Sequence, residues 1–157
     1  MSAAKLVALL REKGLKICCA ESCTGGLISS TVVSVPGASD VLDMSFVTYA
    51  NEAKVKLLGV DPAVIEAHGV VSEQVTRQMA QGAAKASGAD VAIAVSGVAG
   101  PGGTPQKPEG TVCFGWYVCG KTFTETVRFG ALGRNAVREA SCKHAIEKVI
   151  NFLGIGG

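Results

Sequence analysis

Apolar and polar positions first alternate with a helical period. Residues 3–13 carry an apolar stripe broken every few positions by charge, closed by Gly14, which predicts an amphipathic helix. Leu15-Lys16-Ile17-Cys18-Cys19-Ala20 is too short for a helix and reads as a buried strand over 15–20. Helical spacing returns at Leu27, Ile28, Thr31 and Val32, predicting a helix over 24–34 that Val35-Pro36-Gly37 ends. A strand is expected at about 41–49. Asn51 then opens a short helix through Leu58, Asp61-Pro62 opens another to about Ala67, and Ser72-Glu73 caps a long one to Ser87. Val91 to Val95 is continuously apolar, as expected of a strand covered on both faces. Thr111–Cys119 and Thr122–Phe129 alternate like a hairpin turning at Gly120-Lys121, and Arg134–Phe152 forms the closing helix.

This order predicts an α/β fold, a three-layer α/β/α sandwich around a mixed, mainly parallel sheet that turns antiparallel at the hairpin. No repeat or linker divides residues 1–157, so one domain is expected. With 48% apolar and 18% charged residues, the composition suits a compact core and excludes a disordered chain. A formal charge of +2 gives no electrostatic case for nucleic acid or a membrane surface as partner. No signal peptide or bilayer-length segment is read, and a cytoplasmic location is expected. Homo-oligomerisation is admitted, with no feature that fixes the number of copies.

Chemistry concentrates first in Ala20-Glu21-Ser22-Cys23-Thr24-Gly25-Gly26, where a strand turns into a helix. Ser22 and Cys23 bring a hydroxyl and a thiol to a helix N-terminus, whose unpaired N–H groups favour an oxyanion, phosphate or carboxylate. The plainer alternative makes Thr24 an N-cap and the glycines turn residues. Six cysteines (Cys18, Cys19, Cys23, Cys113, Cys119 and Cys142) lack C-x-x-C spacing, so reduced thiols and no metal site are expected. Cys23 is the one candidate thiolate nucleophile, favoured by the helix N-terminus. Its natural partner would be a histidine, and both His68 and His144 sit in structural or solvated contexts.

Tyr49-Ala50-Asn51-Glu52-Ala53-Lys54 sets a phenol at a strand end and an amine one helical turn later. With Asn51 as N-cap, Lys54 is the third helical residue, where the dipole disfavours a cation, and partial burial would disfavour it further. A neutral lysine can act as a general base; Glu21 or Glu52 nearby would oppose this. The alternative places Lys54 in solvent and Tyr49 at the core edge. Ser96-Gly97-Val98-Ala99-Gly100-Pro101-Gly102-Gly103-Thr104-Pro105 follows a buried strand. It approaches a P-loop, but Gly103 stands where the phosphate-binding lysine belongs and a strand follows, which excludes ATP hydrolysis. Such a loop either binds a phosphate or ribose through its N–H groups or simply connects.

These segments, with Val35-Pro36-Gly37-Ala38-Ser39 and Gly69-Val70-Val71-Ser72, resemble in joint order the C-terminal domain of the competence-damage-inducible CinA family from about Leu6 to Val149. The family includes nicotinamide mononucleotide amidohydrolases, and many members carry a further N-terminal domain similar to molybdopterin-binding proteins; this chain resembles the stand-alone form. The resemblance implies a cofactor-free, metal-independent amidohydrolase of pyridine-nucleotide salvage. Its catalytic set would be Ser22 as nucleophile, Lys54 as base and Tyr49 as proton relay, with the immediate base open between Lys54 and Tyr49. Cys23, Thr24, Gly25, Gly26, Asn51, Gly97, Gly100, Gly102, Gly103, Thr104 and Arg134 would bind the substrate. The region corresponding to the family's Gly-Asp-Arg-like segment reads Gly130-Ala131-Leu132-Gly133-Arg134-Asn135 here, without the acid, which touches substrate preference more than catalysis. A non-catalytic nucleotide-binding module and a Cys23 hydrolase are the competing readings.

Overall fold

The computed structural model describes residues 2–155. Its elements run α1 (Ser2–Lys13), β1 (Ile17–Glu21), α2 (Leu27–Val33), a 3-10 turn at Ala38–Asp40, β2 (Phe46–Val47), α3 (Asn51–Leu58), α4 (Pro62–His68), α5 (Glu73–Ser87), β3 (Val91–Gly97), β4 (Thr111–Val118), β5 (Lys121–Arg128) and α6 (Arg134–Ile155). The expected elements are all present, and two are shorter than expected. The helix after β1 begins at Leu27, beyond two left-handed glycines, Gly25 and Gly26. The strand expected over 41–49 keeps only Phe46 and Val47, with one isolated bridge from Leu42 to Ile17.

The sheet order is β2-β1-β3-β4-β5. The β1–β2 and β1–β3 ladders are parallel, and β3–β4 and β4–β5 antiparallel, so the sheet is evenly mixed rather than mainly parallel. The hairpin supplies the antiparallel half because its short turn joins two eight-residue strands.

Strand alternation sorts the core by size. Ile17, Ile93, Val95, Phe114 and Trp116 point to the face covered by α1, α2 and α6, where Leu6, Leu10, Ile28 and Ile146 meet them. Cys18, Ala20, Ala92 and Ala94 point to the other face, beneath Val75, Met79, Ala80 and Ala83 of α5. Small residues on that side let α5 lie close. A side chain at Gly115 would run into the Thr76 carbonyl, and one at Gly82 into the Leu58 carbonyl of α3.

The chain leaves β1 for β2 on one side and returns to β3 on the other. The carboxyl ends of β1 and β3 therefore flank a topological switch point, where open α/β sheets form ligand crevices. Ser22 follows β1, Thr48 and Tyr49 follow β2, and Ser96 and Gly97 end β3.

Candidate active site

Ser22 leaves the sheet still tied to it, its N–H donating to the Val95 carbonyl at 3.2 Å. Gly25 N–H then donates to Ser22 O at 3.1 Å and closes a tight turn. Glu21, fully buried at the end of β1, folds its carboxylate onto the start of α2. It accepts from the N–H groups of Gly26 (3.2 Å), Ile28 (2.9 Å) and Ser29 (2.9 Å), and from Ser29 Oγ (2.6 Å). Thr24 is thus not the cap: the carboxylate takes the donors a capping hydroxyl would serve, and Thr24 Oγ1 is buried without a partner. For the same reason the start of α2 is closed to a ligand anion.

Lys54 arrives from α3 and is 1% exposed. The N-cap of α3 is Ala50, so Lys54 is its fourth residue rather than its third. Its Nζ lies 2.7 Å from Thr48 O, 3.2 Å from Tyr49 O and 3.1 Å from Ser22 Oγ. Burial lowers its pKa below the ordinary lysine value, with the Cys23 thiol opposing more weakly. Glu21, engaged with α2, does not restore the ammonium. A neutral amine has two N–H bonds and one lone pair. The two carbonyls accept the N–H bonds, which leaves the lone pair facing the serine hydroxyl.

The pair opens into a pocket of about 320 Å³. Of the residues singled out in the sequence, Ser22, Cys23, Tyr49, Asn51, Lys54, Gly97, Gly100 and Arg134 line it. At its mouth Arg134 Nη2 donates to the Tyr49 hydroxyl at 3.0 Å, and Nη1 to Gly100 O at 2.6 Å. Tyr49 therefore meets Lys54 through its backbone carbonyl; no hydrogen bond joins its phenol to Lys54 or Ser22, which leaves the expected relay without a path of its own.

Thr24, Gly25 and Gly26 do not form the wall. Gly25 and Gly26 have donated their N–H groups within the turn. Gly102, Gly103 and Thr104 also lie off the pocket: Gly102 N–H donates to Glu109 Oε1 at 3.1 Å, and Thr104 is tied to Lys107 through both its N–H and its hydroxyl. The far half of the loop thus saturates itself, and its first part, Ser96 to Pro101, reaches the cavity.

Three participants escaped the sequence reading. Glu21 stood inside the turn motif but was weighed only as a charge that could disturb Lys54. Ser96 lines the pocket, and its Oγ donates to Val70 O at 2.9 Å, holding one wall. Arg138 donates from Nε to Cys23 O and from Nη2 to Thr24 O, both at 3.0 Å. Its spacing of one helical turn from Arg134 is the signal that places both on one face of α6.

Cys23 is buried, and burial pushes its thiol up to about 11, against the depression expected from a helix N-terminus. No histidine activates it: His144 pairs with Glu125 at 2.6 Å and His68 ends α4. Among the described residues no group of His, Cys, Asp and Glu could hold a metal ion, and no helix is long and apolar enough to cross a membrane.

A buried serine–lysine pair at the switch point of an α/β sheet is the class of site defined here. The chain belongs to the CinA C-terminal domain family, whose model matches residues 1–153. The CinA-like protein of Chlorobaculum tepidum is 57% identical over 111 residues, covering 70% of this chain and 26% of that protein. The CinA-like protein of Mycobacterium tuberculosis is 51% identical over 147 residues, 92% of this chain and 34% of that one. The chain thus spans about a quarter to a third of the length of these curated relatives. Among solved structures, the competence/damage inducible protein CihA from Agrobacterium tumefaciens superposes with a TM-score of 0.94 at 39% identity, covering 98% of this chain and 93% of that one. A CinA superfamily protein from Escherichia coli gives 0.93 at 32% identity, over 96% and 88%.

Proposed function

We propose that this domain is an amidohydrolase that converts nicotinamide mononucleotide to nicotinic acid mononucleotide and ammonia. The observation that carries the reading is the contact between Lys54 Nζ and Ser22 Oγ, 3.1 Å apart, with the lysine otherwise bounded by two carbonyls. Neutral Lys54 takes the Ser22 proton as Oγ attacks the amide carbon. The carbonyl oxygen, now negative, takes the N–H of Cys23, which lines the pocket and donates to no oxygen among the described residues. The Lys54 ammonium then gives its proton to the departing nitrogen, the C–N bond breaks, and ammonia leaves an acyl-Ser22. Water adds to that ester while Lys54 takes its proton. The Oγ–C bond breaks, and Oγ recovers the proton.

The substrate class rests on the family resemblance and on the shape of the pocket. The amide end reaches Ser22, and an anionic end meets Arg134 at the mouth. The loop atoms beyond Pro101 take no part. A non-catalytic nucleotide-binding module has no use for a lysine buried at the cost of its charge, and a Cys23 hydrolase lacks both a thiolate and an activating histidine. The test is ammonia release from nicotinamide mononucleotide, compared between the unmodified protein and Ser22→Ala. Binding without ammonia would favour the module.

A further inference from the structure

We propose that Arg138 is a positioning residue for the reaction at Ser22, holding the turn after the nucleophile so that the Cys23 N–H stays directed at the reacting oxygen. The inference rests on the serine–lysine reading above. In a trans peptide the carbonyl and the N–H point in opposite directions, so a donor fixed on the carbonyl also fixes where the N–H points.

Three successive peptides make the turn. The Ser22 carbonyl accepts from Gly25 N–H, which sets the direction of Cys23 N–H. The Cys23 carbonyl accepts from Arg138 Nε, which sets Thr24 N–H. The Thr24 carbonyl accepts from Arg138 Nη2 and from Leu27 N–H at 3.0 Å, which sets the Gly25 N–H that closes the turn on Ser22. Arg138 thus grips two of the three planes.

The Cys23 N–H donates to no oxygen among the described residues, its one partner being the residue's own thiol, and Cys23 lines the pocket. A buried amide served only by so weak an acceptor marks a place where an oxygen can arrive. Arg138 is itself held still, because Nη1 donates to Asn135 Oδ1 at 3.0 Å. Gly25 gives the turn its left-handed residue at φ 59°, and a side chain there would meet Nη2 only at ordinary contact distance, 3.6 Å. No carboxylate pairs with the guanidinium among the described residues, so its charge also favours a negative oxygen on the far side of the turn. Lysine cannot replace this fork, since a point charge holds one carbonyl and not two.

The experiment measures covalent labelling of Ser22 by a fluorophosphonate, read by mass spectrometry across pH. In this step the Oγ–P bond forms, fluoride leaves with the P–F electrons, the serine proton passes to Lys54, and the phosphoryl oxygen occupies the place of the oxyanion. Arg138→Met should label roughly tenfold to a hundredfold more slowly at the high-pH plateau, with the pH midpoint set by Lys54 unmoved. Arg138→Lys, which keeps the charge, should recover only part of the rate, and it carries the test if the methionine variant does not fold. Labelling of folded Arg138→Met, or of Arg138→Lys in its place, at the unmodified rate would overturn the positioning role alone. Absence of labelling in the unmodified protein, matched by Ser22→Ala, would overturn the serine–lysine reading with it. A shifted pH midpoint at an unchanged plateau would also contradict the proposal, because Arg138 would then be acting on the base.

Discussion

In the proposed reaction Ser22 and Lys54 depend on exclusion of water rather than on a charged partner. Burial is the larger cause acting on Lys54, and its Nζ meets only oxygen atoms of two carbonyls and one hydroxyl. Ser22→Ala should lower turnover by about 10³-fold or more with the fold intact, whereas Cys23→Ala should stay within about tenfold, roughly 1.4 kcal/mol in the barrier. Steady-state rates of the two variants decide between hydroxyl and thiol. Lys54→Met should be severely impaired, and Lys54→Arg should not restore it, because a guanidinium does not give up its proton. The pH dependence follows from the direction of the shift: turnover needs the neutral amine, so the rate should rise with pH through the lowered pKa of Lys54. Stability carries the same sign. Between that lowered pKa and the ordinary lysine value the unfolded chain binds more protons, so folding weakens as pH falls through this window. Denaturation of Lys54→Met against pH should lack that contribution, and an identical slope in both proteins would place the lysine in water.

At the level of elements, the helix boundaries and the strand alternation were legible because they depend on local spacing, as at α3, α5 and the hairpin. The start of α2 was not. Its cap comes from Glu21, before the turn, and a carboxylate reaching forward across five to eight residues leaves no local signature. Glu21→Gln should retain the shape but lose the charge-assisted bonds, costing about 1–3 kcal/mol by chemical denaturation. The approach of α5 to the sheet was equally hidden, because Gly82 and Gly115 read in the sequence as ordinary glycines. Gly115→Ala should destabilise by about 2 kcal/mol or more, since the new methyl group meets a backbone carbonyl that cannot rotate away. Gly82→Ala should do the same despite the better helix propensity of alanine. A neutral result at either position would mean that α5 sits further out. The glycine-rich loop was overread for a comparable reason: the pattern announces exposed N–H groups, but Glu109 and Lys107, which accept from Gly102 and Thr104, lie beyond the motif.

Across the whole molecule, the site joins the ends of three parallel strands to two helices that the sequence separates widely. Ser22 and Lys54 were nameable from their segments, while their contact, and the grip of Arg134 and Arg138 from the last helix, depend on tertiary packing. Arg134 at the pocket mouth predicts that a substrate's remote phosphate matters. Nicotinamide riboside should react far less efficiently than the mononucleotide, with part of the loss in kcat, and Arg134→Met should narrow the gap. With Lys54 as the proposed base, chelation by EDTA should leave the rate unchanged. The central claim is that Ser22 and Lys54 together hydrolyse an amide. Ammonia released from nicotinamide mononucleotide by EDTA-treated protein, measured beside Ser22→Ala and Lys54→Met, tests it most directly: stoichiometric ammonia and nicotinic acid mononucleotide from the unmodified protein and almost none from either variant is the predicted result, and undiminished release by the Ser22→Ala protein would contradict it.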